Sequence, residues 1–137
     1  MLKPLNRKSP EDRRSVAFDP AVLTSAKPGT VLSLDAATGK AILANGDVPD
    51  PMWCWTDTSR LDSSTAKSLT VLEGPFEAYI DTEGYTGTPT AGAYLKPNAG
   101  KLEVHTMNAD ATLNVAVVAR CVVAPDSDGV MLIKAIR

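Results

Sequence analysis

Leu113-Asn114-Val115-Ala116-Val117-Val118-Ala119-Arg120-Cys121-Val122-Val123, then the stretch Ala124-Pro125-Asp126-Ser127-Asp128-Gly129, then Val130-Met131-Leu132-Ile133-Lys134-Ala135-Ile136, decides the fold class. Both flanks are apolar and rich in β-branched side chains, which suit a pleated surface and lose rotamer freedom in a helix. The middle collects Pro, Asp and Gly, residues that set or tolerate turn geometry. The reading is strand, turn, strand.

The same pattern repeats upstream. Thr30 to Asp35 alternates, with Leu32 and Leu34 on one face, and a turn over Ala36-Ala37-Thr38-Gly39 leads into a second strand, Lys40 to Asn45. Leu69 to Glu73 and Phe76 to Asp81 are strands parted by Gly74-Pro75; Phe76, Ala78 and Ile80 share one face of the second, Glu77, Tyr79 and Asp81 the other. Ala93 to Lys96 and Lys101 to His105 flank the tight turn Pro97-Asn98-Ala99-Gly100. Val48 to Asp57 carries Pro49 and Pro51, which argue against a central strand, and the Ser/Thr-rich Thr58 to Ser68 reads as an exposed loop. The expectation is an all-β fold, a small β-sandwich or β-barrel of about eight short strands.

The chain has 137 residues, which suggests one domain, and its 44% hydrophobic content is enough for a core built from Val, Leu, Ile and Ala. Ten prolines and nine glycines favour turns over long helices. No apolar run reaches the length of a membrane-spanning helix, and the opening residues lack the apolar segment of a secretory leader. Residues 1–15 carry Lys3, Arg7, Lys8, Arg13 and Arg14 against Glu11 and Asp12, whereas the rest of the chain is acidic. These residues show no apolar periodicity and are broken by Pro4 and Pro10. They are expected to be an extended basic N-terminal arm of about 50 Å at full stretch, ahead of a single β domain over 16–137. Asp19-Pro20 can open a single helical turn.

Residue types that carry chemistry are sparse. His105 is the sole histidine, and it reads as a surface residue of a short strand. No G-x-S-x-G elbow, Walker loop or dinucleotide fingerprint occurs. Asp47-x-x-Asp50 and Asp126-x-Asp128 lack the remaining positions of a calcium loop and read as turn aspartates. Cys54 and Cys121 stand too far apart in sequence to suggest a zinc site and read as reduced thiols. No catalytic residue, metal or cofactor is therefore expected. Trp53 and Trp55, two apart, face one side of an extended segment. They either plug one end of the barrel or form an exposed contact patch. The basic arm, with no aromatics interleaved, suits an acidic protein groove better than nucleic acid.

Lys27-Pro28-Gly29-Thr30-Val31-Leu32-Ser33-Leu34-Asp35 with Gly39-Lys40-Ala41-Ile42-Leu43-Ala44 resembles the opening hairpin of the capsid decoration (cement) proteins of tailed bacteriophages. Gly92-Ala93-Tyr94-Leu95 with Gly100-Lys101-Leu102 is similar to a later hairpin of that family. Val115 to Ala119 with Gly129 to Ile133 is similar to its last two strands. The likeness covers 27–137; the Trp53-Cys54-Trp55 segment lies outside the family pattern. It implies a non-enzymatic virion protein, made in the host cytoplasm, that binds the major capsid protein on the outer capsid surface, with trimers favoured and an arm reaching over neighbours. The contact residues expected for such a role, from the charge of the arm and from the aromatic side chains, are Lys3, Arg7, Lys8, Arg13, Arg14, Trp53, Trp55 and Tyr85, with Tyr79 and Tyr94 as further aromatic candidates. No nucleic acid or membrane is expected as a partner. The alternatives are another virion component (tail tube, spike or fibre base) and a small carbohydrate-binding module.

Overall fold

The computed structural model describes residues 1–5, 13–62, 64–106 and 116–136. Among them the strands are β1 (Leu2–Pro4), β2 (Arg13–Ala17), β3 (Val31–Leu34), β4 (Ala41–Leu43), β5 (Met52–Cys54), β6 (Ser68–Leu72), β7 (Phe76–Ile80), β8 (Tyr94–Asn98), β9 (Lys101–Val104), β10 (Ala119–Val123) and β11 (Met131–Ala135). They form two antiparallel sheets, a six-stranded one in the order β1-β7-β11-β10-β8-β9 and a five-stranded one in the order β2-β6-β5-β3-β4. The all-β sandwich is thus present, built from more and shorter strands than the sequence suggests.

The six-stranded sheet is two-faced, as its period-two pattern requires. Phe76, Ala78 and Ile80 of β7, Met131, Ile133 and Ala135 of β11, and Ala119 and Cys121 of β10 all enter the core between the sheets. The intervening Glu77, Tyr79, Lys134 and Arg120 point the other way. The five-stranded sheet is buried on both faces. Val31, Trp53 and Leu72 join the core between the sheets. Their neighbours Leu32, Met52, Cys54 and Val71 join a second core on the outer side, closed by Phe18, Leu23 and Ala26. Burial on both sides explains why Val31-Leu32, Met52-Trp53-Cys54 and Val71-Leu72 are unbroken apolar runs. The covering segment turns at Asp19, whose carboxylate accepts the Ala21 N–H at 2.9 Å. Its backbone carbonyl accepts Val22 and Leu23, which tucks Leu23 inward.

The sheets are stitched at the β8–β9 turn. Gly100 accepts the Val31 N–H at 2.8 Å and donates its own N–H to the Ala44 carbonyl at 2.9 Å. Its φ of +82° and the 2.8 Å that an added Cβ would leave to Leu43 and Thr30 make glycine the residue that fits.

Three sequence expectations are corrected. First, the described parts of residues 1–15 are not a free arm. β1 pairs with β7, Leu2 opposite Ile80, and β2 pairs with β6, Val16 opposite Leu69. Leu2 and Val16 are both buried. The edges of β6 and β7 would otherwise leave backbone groups unpaired, and a single inward apolar residue per strand suffices to seat each partner. The stretch 6–12 lies outside the described residues. Second, Val48 to Asp57 does supply a central strand: β5 sits between β3 and β6. Pro49 and Pro51 precede Met52, so no ladder donor is lost. Third, the closing strand begins at Ala119. Ala116 to Val118 are buried without being strand, and 113–115 lie outside the described residues.

Candidate functional site

The outer face of the six-stranded sheet is built by strand register. Lys3 lies opposite Tyr79, Tyr79 opposite Leu132, and Leu132 opposite Val123, so one row crosses four strands. A bulge between Cys121 and Val123 inserts Val122 into β10. A bulge turns neighbouring side chains to the same side, and Val122 and Val123 are 39% and 54% exposed. The next row runs Glu77, Lys134, Arg120, Tyr94. Beyond it Lys96 and Glu103 pair across β8 and β9 at 3.6 Å. Leu5, held by its N–H to the Glu77 carbonyl at 3.0 Å, and Ile136, in phase with Leu132 and Lys134, extend the apolar row at its margins.

Eight large hydrophobic side chains are exposed among the described residues; Leu5, Tyr79, Val122, Val123 and Ile136 lie on this face. A row of apolar side chains on an open sheet face is unusual unless something covers it. The charged groups around it are Lys3, Lys96, Arg120 and Lys134 against Glu77 and Glu103. Among the described residues Lys3, Arg120 and Lys134 take part in no ion pair.

The residues named from sequence scatter. Lys3 is on the face, exposed. Arg7 and Lys8 lie outside the described residues. Arg13 stacks its guanidinium 4.5 Å from the centre of the Trp55 ring. Arg14 binds Glu73 through Nε at 2.8 Å and reaches the Met52 sulfur with Nη2 at 3.2 Å. Both arginines therefore brace β2 against its own sheet. Trp53 and Trp55 do share a side, and that side is the core. Trp53 is fully buried, edge-on to Phe76 at 5.5 Å, and Trp55 is half-buried against the same core. Trp53 is corrected from contact residue to core residue. Tyr85 is corrected likewise: it is buried, and its hydroxyl donates to the Gly129 carbonyl at 2.7 Å. Burial raises its phenol pKa. Tyr79 and Tyr94 do reach the open face. Leu132, Lys134 and Ile136 were findable from the alternation of Val130 to Ile136; Val122 and Val123 were not, because a bulge leaves no periodic signal.

Compared with known proteins, the chain matches no family model and no curated protein sequence.

The other features have local explanations. Asp126 accepts the N–H groups of Asp128 at 2.9 Å and Val130 at 3.0 Å through one carboxylate oxygen, as the turn reading requires. Among the described residues no group of three or more potential ligands is placed to hold a metal ion. An open groove of about 710 Å³ is lined by Arg14, Leu34, Asp47, Asp50, Pro51 and Glu73 among others. Its arginine is already neutralised by Glu73, and His105, following β9 in the other sheet, is not part of it. Cys54 and Cys121 are buried in different cores, one on each side of the five-stranded sheet, so they cannot meet. Cys54 donates its thiol proton to the Thr56 carbonyl at 2.9 Å, and burial pushes its pKa from 9.0 to about 12.

Proposed function

We propose that this chain is a structural protein of a bacteriophage virion, one that binds the outer surface of the capsid and stabilises it without catalysing a reaction. One observation carries the reading: among the described residues the layering covers both faces of one sheet and one face of the other, and five of their eight exposed large hydrophobics gather on the face left open. A protein that acts by grip needs such a face on a rigid body. The resemblance over 27–137 supplies the partner, the major capsid protein, and the location, the outside of the shell. Weak contacts of this kind hold through many copies acting together, and trimers at symmetry axes belong to the same reading. The contact set differs from the one expected from sequence: grip passes from the arm and the tryptophans to the sheet face, with Lys3, Tyr79 and Tyr94 common to both.

Immunogold labelling of intact virions tests the reading. Label spread over the head is the expected result. Label confined to the tail would replace it with a tail tube, spike or fibre-base role, and no label on particles would remove the virion reading altogether. Light scattering of the purified protein checks the trimer separately.

A further inference from the structure

We infer that the open face of the six-stranded sheet docks a protein surface that presents carboxylates around an apolar centre. The inference rests on the surface-binding reading above and adds which face binds and what chemistry it meets. The face carries Lys3, Lys96, Arg120 and Lys134 against Glu77 and Glu103, leaving ten basic and fourteen acidic residues elsewhere in the chain. A chain of net charge −2 thus has one face of opposite sign. Lys3, Arg120 and Lys134, which take part in no ion pair among the described residues, flank the row Tyr79, Leu132, Val123. An apolar, tyrosine-bearing centre with a charged rim is the anatomy of a protein interface. A carboxylate brought to that rim gains a cation that no described residue already pairs.

Other occupants fit less well. A second copy laid face to face would bring together two faces that each carry four cations against two carboxylates, and the excess of like charge opposes association. A nucleic acid would need continuous positive charge along its backbone. Here the centre is aliphatic, Glu77 and Glu103 interrupt the cations, and the rest of the chain repels a polyanion.

Zero-length carbodiimide coupling tests the inference, because it joins a lysine amine to a carboxylate in direct contact. It is applied to particles assembled with the full chain and, in parallel, to the lysate that yields them, and the coupled peptides are mapped. The expected result is coupling of Lys3, Lys96 and Lys134 to Asp or Glu of one other protein, with Lys27, Lys40 and Lys67 uncoupled to it. The paired substitution Tyr79→Ser with Leu132→Ser should lower retention of the chain on that partner about tenfold or more, as should Arg120→Gln with Lys134→Gln. Lys40→Gln with Lys67→Gln should leave it unchanged. Thermal unfolding within a few degrees of wild type confirms that the variants fold; the coupling map on the unmodified chain does not depend on them. Coupling concentrated on Lys27, Lys40 and Lys67 overturns the inference, as does coupling of the face to carboxylates of a second copy of this chain, read from mixed isotopically labelled and unlabelled chains so that the Lys96–Glu103 contact within one copy is set aside. Face lysines that become reactive to acetylation only after nuclease treatment overturn it in favour of nucleic acid. Face coupling in the lysate with no chain on particles leaves the inference standing and removes the capsid reading.

Discussion

Trp53 and Trp55 are separated by one residue and differ in what their removal should do. Trp53 is enclosed on all sides and meets Phe76 edge-on, so Trp53→Ala leaves a large void and should destabilise the fold by about 3–5 kcal/mol. Trp55 is half-buried and covered by the Arg13 guanidinium, so Trp55→Ala should lose about 1 kcal/mol, part of it the cation–π contact. Denaturant unfolding of the two variants checks the ordering; equal losses would contradict the packing described. The thiols give a second prediction. The Cys54 proton is held up to a pKa of about 12 because burial disfavours the thiolate. A folded pKa above the unfolded one means the native state holds the proton longer. This contribution to stability is complete below pH 9.0 and is lost as pH rises toward 12. The native protein should react with no equivalents of a thiol reagent at pH 8, and the denatured protein with two. Prompt reaction of one thiol in the native state would show that a core opens readily.

At the scale of elements, β1 and β2 act as edge strands. Deleting residues 2–17 should remove the buried Leu2 and Val16 together with two ladders, for a loss of at least about 4 kcal/mol. Against a typical total of about 5–15 kcal/mol, the truncated chain should be marginal or unfolded, visible as a collapsed transition in circular dichroism. A truncated chain that melts like the whole would return these strands to the role of a detachable arm. Gly100→Ala should destabilise by about 2–4 kcal/mol, since a side chain at positive φ must also push into Leu43 and Thr30. The strands from β6 to β9 and the closing pair were legible because each alternates over four or more residues or ends at a turn residue. β1 and β2 were not, because one inward residue apiece makes no period, and the charges of Arg13 and Arg14 masked Val16. β5 was hidden by prolines that sit just outside it. For the site, parity alone placed Tyr79, Lys134 and Leu132 on one side, but only sheet order brought them beside Lys3 and Val123. No local pattern records which strands will be neighbours.

At the scale of the whole molecule, the layering divides labour. One sheet is sealed on both faces and gives the body its rigidity, while the other turns a single face to its surroundings. Phe18, Leu23 and Ala26 cover the outer apolar side chains of the five-stranded sheet, so a partner could reach those only by opening the second core, whereas the apolar row of the other sheet is already exposed. The two ingredients of that open face should separate by ionic strength. Lys3, Arg120 and Lys134 are exposed, and screening shortens their reach to about 10 Å at 0.1 M salt and about 3 Å at 1 M. The association rate with the partner should therefore fall severalfold as salt rises over that range, because charge at a rim acts mainly on encounter. The dissociation rate should change little, because the Tyr79, Leu132 and Val123 row owes its hold to water exclusion, which salt does not weaken. Surface plasmon resonance at a series of salt concentrations reads both rates. An association rate indifferent to salt would remove the cations from the mechanism, and dissociation that accelerates in step with salt would remove the apolar row.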